Sequence, residues 1–153
     1  FITGKLALWT KSDAVSYFAD LRIKYRPREN LAQALVRETR QRWPRLLGVK
    51  IYSTSAEHPE VHIVASDNPK EIGEPGGQAE RAVIASNAIY YGTKGRTALV
   101  TLPLHDRNGD AIAAVKLILK SFPGQTEQNA VGRATPIVRQ MQGRARSARE
   151  LTE

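Results

Sequence analysis

The sequence predicts an α+β domain in which a five-stranded antiparallel sheet lies between helical segments. The strongest observation is a meander over Ala88–Lys120, where three short apolar stretches alternate with two polar turns. Its second turn contains Asn108-Gly109, the dipeptide that best suits a tight hairpin. A second observation is an earlier hairpin, made of Val49–Ser55 and Val61–Ser66. The third is the helical spacing of the apolar residues in the segments that precede and follow the sheet in the sequence.

The amino-terminal part, residues 13–47, is predicted to form one long kinked helix or two helices. Val15, Phe18 and Leu21 recur at helical spacing before Pro27 interrupts the pattern. Asn30 is a suitable N-cap for a second helical stretch, which Pro44 would end.

The sheet is predicted over residues 48–120, and the chain as a whole, residues 1–153, as a single domain. Residues 67–87 form an insertion between the second and third strands, with a Gly- and Pro-rich loop followed by a short helix at Ala79–Ser86. Gly92–Gly95 is predicted to reverse the chain after the third strand. Residues 126–151 are predicted as a C-terminal helix, with Pro136 either kinking it or starting a new one.

The composition is that of an ordinary globular domain with a basic surface. Net charge is +8, from 23 Lys and Arg against 15 Asp and Glu, which favours anionic partners in general. The absence of cysteine excludes disulfides and thiolate chemistry. No apolar run approaches the roughly 20 residues that a membrane span needs.

Two motifs, together with the element order, resemble PAS-like sensor domains, and in detail the extracytoplasmic Cache branch. The segment Asp67–Gly73 (DNPKEIG) is similar to the loop after the second strand of Cache domains. The segment Leu102–Ile112 (LPLHDRNGDAI) is similar to their hairpin that ends the fourth strand and starts the fifth. The resemblance covers Leu31–Leu119 and implies an extracytoplasmic or periplasmic sensor with a pocket between the sheet and the insertion. Unlike most such domains, this chain shows no flanking membrane helices.

Lys116 is the first candidate for ligand binding, because a lysine within an apolar strand must pair, reach water or hold an anion. Arg81, on the insertion helix, could clamp a carboxylate with two hydrogen bonds. Strand alternation predicts that Tyr90 and Tyr91 point to opposite faces, and that His62, Val64 and Ser66 share one. The predicted ligand-binding residues are Tyr52, His62, Arg81, Tyr90, Tyr91, Thr101 and Lys116.

No cofactor, metal site or enzymatic activity is predicted. Asp106, Asn108 and Asp110 begin like a calcium loop, but the glycine falls at the wrong position and Leu117 stands where a bidentate Glu is needed. His58 and His62 are four residues apart, but Pro59 lies between them and they fall in a turn and a strand rather than on a helix. The chain contains no Gly-x-Ser-x-Gly and no convincing Ser/His/Asp set.

The sequence therefore predicts a non-enzymatic sensor-type domain that binds a small, anionic molecule such as a carboxylate. A protein–protein interaction module is the alternative, in which the terminal helices form a homodimer without any small ligand. Nucleic-acid binding through the five arginines of Arg133–Arg149 is less favoured, because no aromatic residues are interleaved among the exposed charges of the chain's basic helices.

Overall fold

The computed structural model describes residues 29–153, together with the isolated positions 15, 17, 19, 20 and 22. The first helical stretch predicted from the sequence, over residues 13–28, lies largely outside the described residues. Helix α1 (Leu31–Arg42) begins at Asn30, whose side chain accepts the Gln33 backbone N–H at 2.8 Å. This is the N-cap that the sequence predicted.

Five antiparallel strands follow, interrupted by the insertion. They are β1 (Gly48–Ser53), β2 (His62–Ser66), β3 (Tyr90–Lys94), β4 (Thr97–His105) and β5 (Ala111–Lys120). The order across the sheet is β2-β1-β5-β4-β3. The insertion holds a short 3-10 helix (Pro69–Glu71) and helix α2 (Gln78–Ser86). The predicted α+β class and five-stranded sheet are confirmed.

Two details differ from the sequence prediction. Strand β3 continues through Lys94, so the chain reverses at Gly95-Arg96 rather than over Gly92–Gly95. Gly95 alone supplies the positive φ, at +60°. The second hairpin has a longer loop than Asn108-Gly109 alone, because the backbone N–H of Asp106 bonds to the Asp110 carbonyl.

The C-terminal region contains two helices instead of the single helix predicted over residues 126–151. Helix α3 spans Glu127–Gln142 and runs through Pro136, and helix α4 spans Ala148–Thr152. The break follows from Gly143, a poor helix former, and from Ser147, whose hydroxyl accepts the Glu150 N–H and begins a new helix. Among the described residues, no helix combines the length and apolar character needed to cross a bilayer.

The two faces of the sheet have different cores. The main core lies between one face and the helices α1, α3 and α4, and includes Ile51, Val100, Leu104, Val115 and Leu117. Helix α2 covers the other face through a smaller cluster of Tyr52, Ile63, Val83 and Ala114. We refer to these as the core face and the α2 face.

A β-bulge in β2 changes one prediction about the faces. The register pairs Ile51 with Ala65 but Tyr52 with Ile63, which leaves Val64 as an extra residue. Val64 therefore packs in the main core, while Ser66 lies on the α2 face. The prediction that His62, Val64 and Ser66 share one face is wrong for this reason.

Candidate functional site

A row of polar side chains crosses the α2 face from one edge of the sheet to the other. Directly opposed residues of antiparallel strands share a face. The register opposes Ser66 to Lys50, Lys50 to Lys116, Lys116 to Thr101, and Thr101 to Tyr90. We call these five residues, one from each strand, the polar row. Lys116 occupies the central strand, so it lies at the middle of this row.

The Lys116 ammonium is enclosed by α2 and β1. It forms an ion pair with the Glu80 carboxylate of α2 and lies 5.2 Å from the centre of the Tyr52 ring. The Lys116 side chain is 20% exposed, whereas that of Glu80 is only 4% exposed. Of the outcomes that the sequence left open for Lys116, the structure therefore shows pairing with an internal carboxylate, which the sequence did not identify.

Glu80 has a second partner at the start of its own helix. Its Oε2 atom accepts the backbone N–H of Gly77, the N-cap residue, at 2.8 Å. Burial alone would raise the pKa of the Glu80 carboxyl, but the Lys116 ammonium and the backbone N–H groups outweigh it, so the pKa lies below 4.5. The carboxylate is therefore the stable form of Glu80 at neutral pH.

Lys50, the neighbour of Lys116 in the polar row, has its own carboxylate. Its ammonium lies 3.0 Å from Glu71, which also accepts a hydrogen bond from the Ser66 hydroxyl at 3.0 Å. Both contacts lower the pKa of the Glu71 carboxyl, and the hydrogen bond from Lys50 has the larger effect. Two like charges directly opposed on a sheet repel one another, and the separate carboxylates offset that repulsion.

Thr101 is the unusual member of the polar row. The residue is fully buried, and its hydroxyl has no hydrogen-bond partner. Buried hydroxyl groups nearly always have a hydrogen-bond partner, so a buried hydroxyl without one is unusual. Thr101 lies directly opposite Lys116 in the sheet, so the two side chains share the α2 face.

Tyr52 closes the site on the β1 side. It is buried beneath α2 with Ile63, Val83 and Ala114. Burial, and the nearby carboxylate of Glu80, raise the pKa of its hydroxyl to about 12. Tyr52 is therefore neutral at physiological pH, and it offers an aromatic surface to anything placed beside Lys116.

The seven residues predicted from the sequence divide into two groups. Tyr52, Thr101 and Lys116 are together on the α2 face, and Tyr90 continues the polar row at the exposed edge strand. Tyr91 points to the opposite face, as predicted, and packs against the main core. Arg81 is exposed on α2, and no carboxylate of the described residues lies within ion-pair distance of it. The structure thus brings four of the seven to one face.

His62 lies apart from the polar row. His62 begins β2 and pairs with Ser53. Ser53 follows Tyr52 in β1 and therefore points to the opposite face of the sheet. The His62 ring contacts the His58 ring, with centroids 5.4 Å apart. Its Nδ1 atom lies 2.9 Å from the Glu60 carbonyl oxygen. Among the described residues, no group of three or more His, Asp or Glu side chains is placed to hold a metal ion.

Sequence reasoning missed Glu80, Glu71 and the role of Lys50. Lys50 carried a usable signal, since it interrupts the apolar strand β1 just as Lys116 interrupts β5. Glu80 is the third residue after a glycine that precedes a helix, a position typical of a carboxylate that caps the helix start. Nothing in the sequence indicates that the same carboxylate reaches Lys116.

The Asp106 loop is a turn stabilised by its own aspartate. The Asp106 Oδ1 atom accepts the backbone N–H groups of Asn108 at 2.8 Å and Asp110 at 3.0 Å. Gly109 adopts a φ of +88°. The Asp106 carboxylate thus stabilises the turn that the sequence predicted here.

Comparison with known proteins shows the fold but not a family. No protein-family model and no curated protein matches the chain. Three similar solved structures have a TM-score of 0.50. The GAF domain of an Acinetobacter phosphoenolpyruvate-protein phosphotransferase is 15% identical and aligns over 76% of this chain and 82% of its own. The second GAF domain of Mycobacterium smegmatis DevS is 16% identical and aligns over 74% of this chain and 92% of its own.

The third is the inducer-binding domain of the Acinetobacter transcription factor PobR, a double mutant in complex with 3-hydroxybenzoic acid. It is 14% identical and aligns over 74% of this chain and 94% of its own. At these identities the likeness shows the fold alone, which is that of GAF domains and is PAS-like, as the sequence predicted. The Cache branch in particular is not shown.

Proposed function

We propose that this chain is a sensor-type domain that binds a small molecule between the α2 face of the sheet and helix α2. The observation that carries the proposal is the Thr101 hydroxyl, which is buried without a partner beside Lys116. A ligand oxygen that bonded to Thr101 would remove the cost of leaving that hydroxyl unsatisfied. The GAF-type fold supports the proposal, since one protein that shares it was solved with 3-hydroxybenzoic acid.

The chemistry of the site favours a planar carboxylate. The Lys116 ammonium supplies charge, the Thr101 hydroxyl supplies a hydrogen-bond donor, and the Tyr52 ring supplies an aromatic surface. The neighbouring α2-face residues Leu99 and Ile118 are half-buried and apolar, and are suited to the body of such a ligand. This arrangement matches the usual composition of a small-molecule site, with mostly apolar walls and a few convergent polar groups.

A titration with benzoate and 3-hydroxybenzoate tests the proposal. Binding would raise the melting temperature by mass action and would shift the NMR signals of β4, β5 and α2. Thr101→Val keeps the shape of the side chain but removes the hydroxyl, and we expect it to weaken binding about fivefold or more, the loss of one hydrogen bond of about 1 kcal/mol. Lys116→Ala is expected to abolish binding.

Thr39→Val is the matched control, because Thr39 is also buried but lies in α1 on the other side of the sheet. It should leave the affinity unchanged. Arg81→Ala tests the remaining predicted carboxylate clamp. If Thr101→Val and Thr39→Val alter the affinity equally, or if no member of a panel of carboxylates, amines and neutral aromatics binds, the proposed site is wrong.

We also propose that the domain binds its ligand without transforming it. The charged groups of the site pair with one another, and the described residues offer no cluster of metal-ligating side chains. Mass spectrometry of the ligand after long incubation tests this point. Recovery of the unchanged compound is the expected result, and a new product would show catalysis.

The two alternative functions are tested on the same sample. The outer side of α3 carries Arg133, Arg139 and Gln140, and an open groove there is completed by Arg42. This basic surface suits an anionic partner better than a second copy of itself, because like charges repel. Light scattering detects a homodimer. A titration with DNA and RNA at low and high salt detects nucleic-acid binding.

We also propose the extracytoplasmic or periplasmic location that the Cache resemblance implies. The similarity of the loop Asp67–Gly73 and of the hairpin Leu102–Ile112 to Cache domains supports it. Fractionation of the source cells, with antibody detection of the chain, tests it directly. Recovery with the cytoplasmic fraction would overturn this proposal and leave the ligand site unaffected.

A further inference from the structure

Both lysines of the polar row are already paired with carboxylates of the protein itself. Lys50 pairs with Glu71 and Lys116 with Glu80. An anionic ligand entering this site would therefore meet a local charge close to zero rather than two free cations. Attraction for such a ligand requires that one of the internal carboxylates give up its lysine.

The two carboxylates differ in what holds them. Glu71 lies on the 3-10 helix of the loop and receives bonds from Lys50 and the Ser66 hydroxyl. Glu80 lies on α2, is almost completely buried, and divides its oxygens between Lys116 and the Gly77 N–H. Glu80 is also the carboxylate on the side of the orphaned Thr101 hydroxyl, because Thr101 opposes Lys116 and not Lys50.

We propose that Glu80 is a tethered carboxylate that occupies the Lys116 site in the absence of ligand and is displaced by the carboxylate of the ligand. This inference rests on the proposed function and specifies how the same site is regulated. The ligand class is a monocarboxylate, which exchanges one carboxylate for another at Lys116 and adds the hydrogen bond to Thr101 that Glu80 leaves unmade.

Displacement has a structural consequence at the start of α2. Glu80 is the side chain that caps this helix, and the N-cap residue Gly77 has none of its own. When a ligand displaces the whole Glu80 side chain, both carboxylate oxygens move, so the Gly77 N–H loses its acceptor and the first turn of α2 loses its cap. The binding event is thereby converted into a local change in the insertion over residues 67–87.

Two variants release Lys116 by independent routes. Glu80→Gln removes the charge while keeping the size of the side chain and its ability to accept the Gly77 N–H. Gly77→Ala keeps Glu80, but the added Cβ would lie 2.9 Å from the Glu80 Oε2 atom and would push that flexible side chain aside. Gly77 has a φ of −80°, so alanine is not strained there.

Benzoate affinity, measured by calorimetry on the whole chain, is the first readout. If Lys116 is free in a tenth or less of the unliganded molecules, either variant should tighten benzoate binding by about tenfold or more. Glu71→Gln is the matched control, since it removes the other carboxylate of the site without freeing Lys116. It is expected to change the affinity by less than Glu80→Gln does.

Hydrogen exchange of the Gly77 amide is the second readout. In the wild-type protein, benzoate should accelerate this exchange, because binding removes the acceptor. Tighter binding in both variants together with accelerated exchange in the wild type supports the displacement. Equal or weaker benzoate binding in both variants, with clear binding to the wild type, overturns it and leaves the proposed function standing. Failure of benzoate and the other carboxylates to bind any of the proteins overturns both.

Discussion

The two faces of the same sheet have opposite characters, although alternate residues of the same strands build them. On β5, the residues Val115 and Leu117 enter a dry core beneath three helices, while Lys116 between them enters a network of charges beneath one short helix. The core face is closed mainly by apolar packing. The α2 face contains ion pairs and an unsatisfied hydroxyl. Such features lower stability, and proteins retain them mainly at functional sites.

The comparison indicates a division of labour. The core face supplies rigidity, since tightly packed apolar residues fix the strands and their register. The α2 face can then hold charged groups close together at a cost that the core offsets. Sites of this kind are expected where a fold sacrifices stability for binding, and each of the following predictions tests whether the two faces differ in this way.

The largest expected effect is on the core face. Leu117→Ala removes a fully buried side chain and should lower the free energy of unfolding by about 3 kcal/mol, as core truncations generally do. Ile118→Ala is the control on the next residue of the same strand, where the side chain is half-buried on the α2 face. Urea denaturation measures both. Equal losses would contradict the distinction between the faces.

A smaller loss is expected from breaking the ion pair of the α2 face. Lys116→Met leaves the Glu80 carboxylate buried without its cation and should cost about 2 kcal/mol, less than for a fully buried pair because Lys116 reaches solvent. The double variant Lys116→Met with Glu80→Leu should recover part of that loss. A double-mutant cycle measures the coupling. Purely additive losses would show that the pair is not a unit.

Thr101→Val is expected to act in the opposite direction. Removing an unpartnered buried hydroxyl without changing the shape should raise the free energy of unfolding by up to about 1 kcal/mol. Ser53→Ala is the matched comparison, because the fully buried Ser53 hydroxyl donates to the Ile112 carbonyl at 2.7 Å. That variant should lose about 1 kcal/mol. Destabilisation by Thr101→Val would mean that its hydroxyl has a partner in solution.

The smallest effect concerns acid stability. The folded protein holds the pKa of Glu80 below its ordinary value of 4.5, so the unfolded chain binds more protons between the two values. Stability is therefore fully present above the ordinary pKa and is lost as the pH falls through the lowered one. Glu80→Gln should flatten this part of the profile. Denaturation curves at several pH values between 2 and 6 measure it, with Glu71→Gln as the comparison.

Much of the fold followed from local patterns. The apolar run of β5 and the Asn30 cap are determined by neighbouring residues, and the structure has them as predicted. The turn before β5 lies where it was predicted but is longer than Asn108-Gly109. Alternation along a strand likewise placed Tyr90 and Tyr91 on opposite faces. It also marked Lys116 as exceptional, since a charge within an apolar strand is visible without knowledge of the partner strand.

The sequence by itself thus determined the strands, most of their faces and the exceptional position of Lys116 within an apolar strand. Only the tertiary structure decided which residues stand beside it. The register that sets Lys50, Lys116 and Thr101 in one row depends on the pairing of β5 with β1 and β4. The bulge at Val64 shifts the separate pairing of β2 with β1 by one residue. The ion pair between Glu80 and Lys116 depends on the path of the whole insertion, which places helix α2 over the sheet. Residues this far apart in sequence meet only when the chain between them has folded.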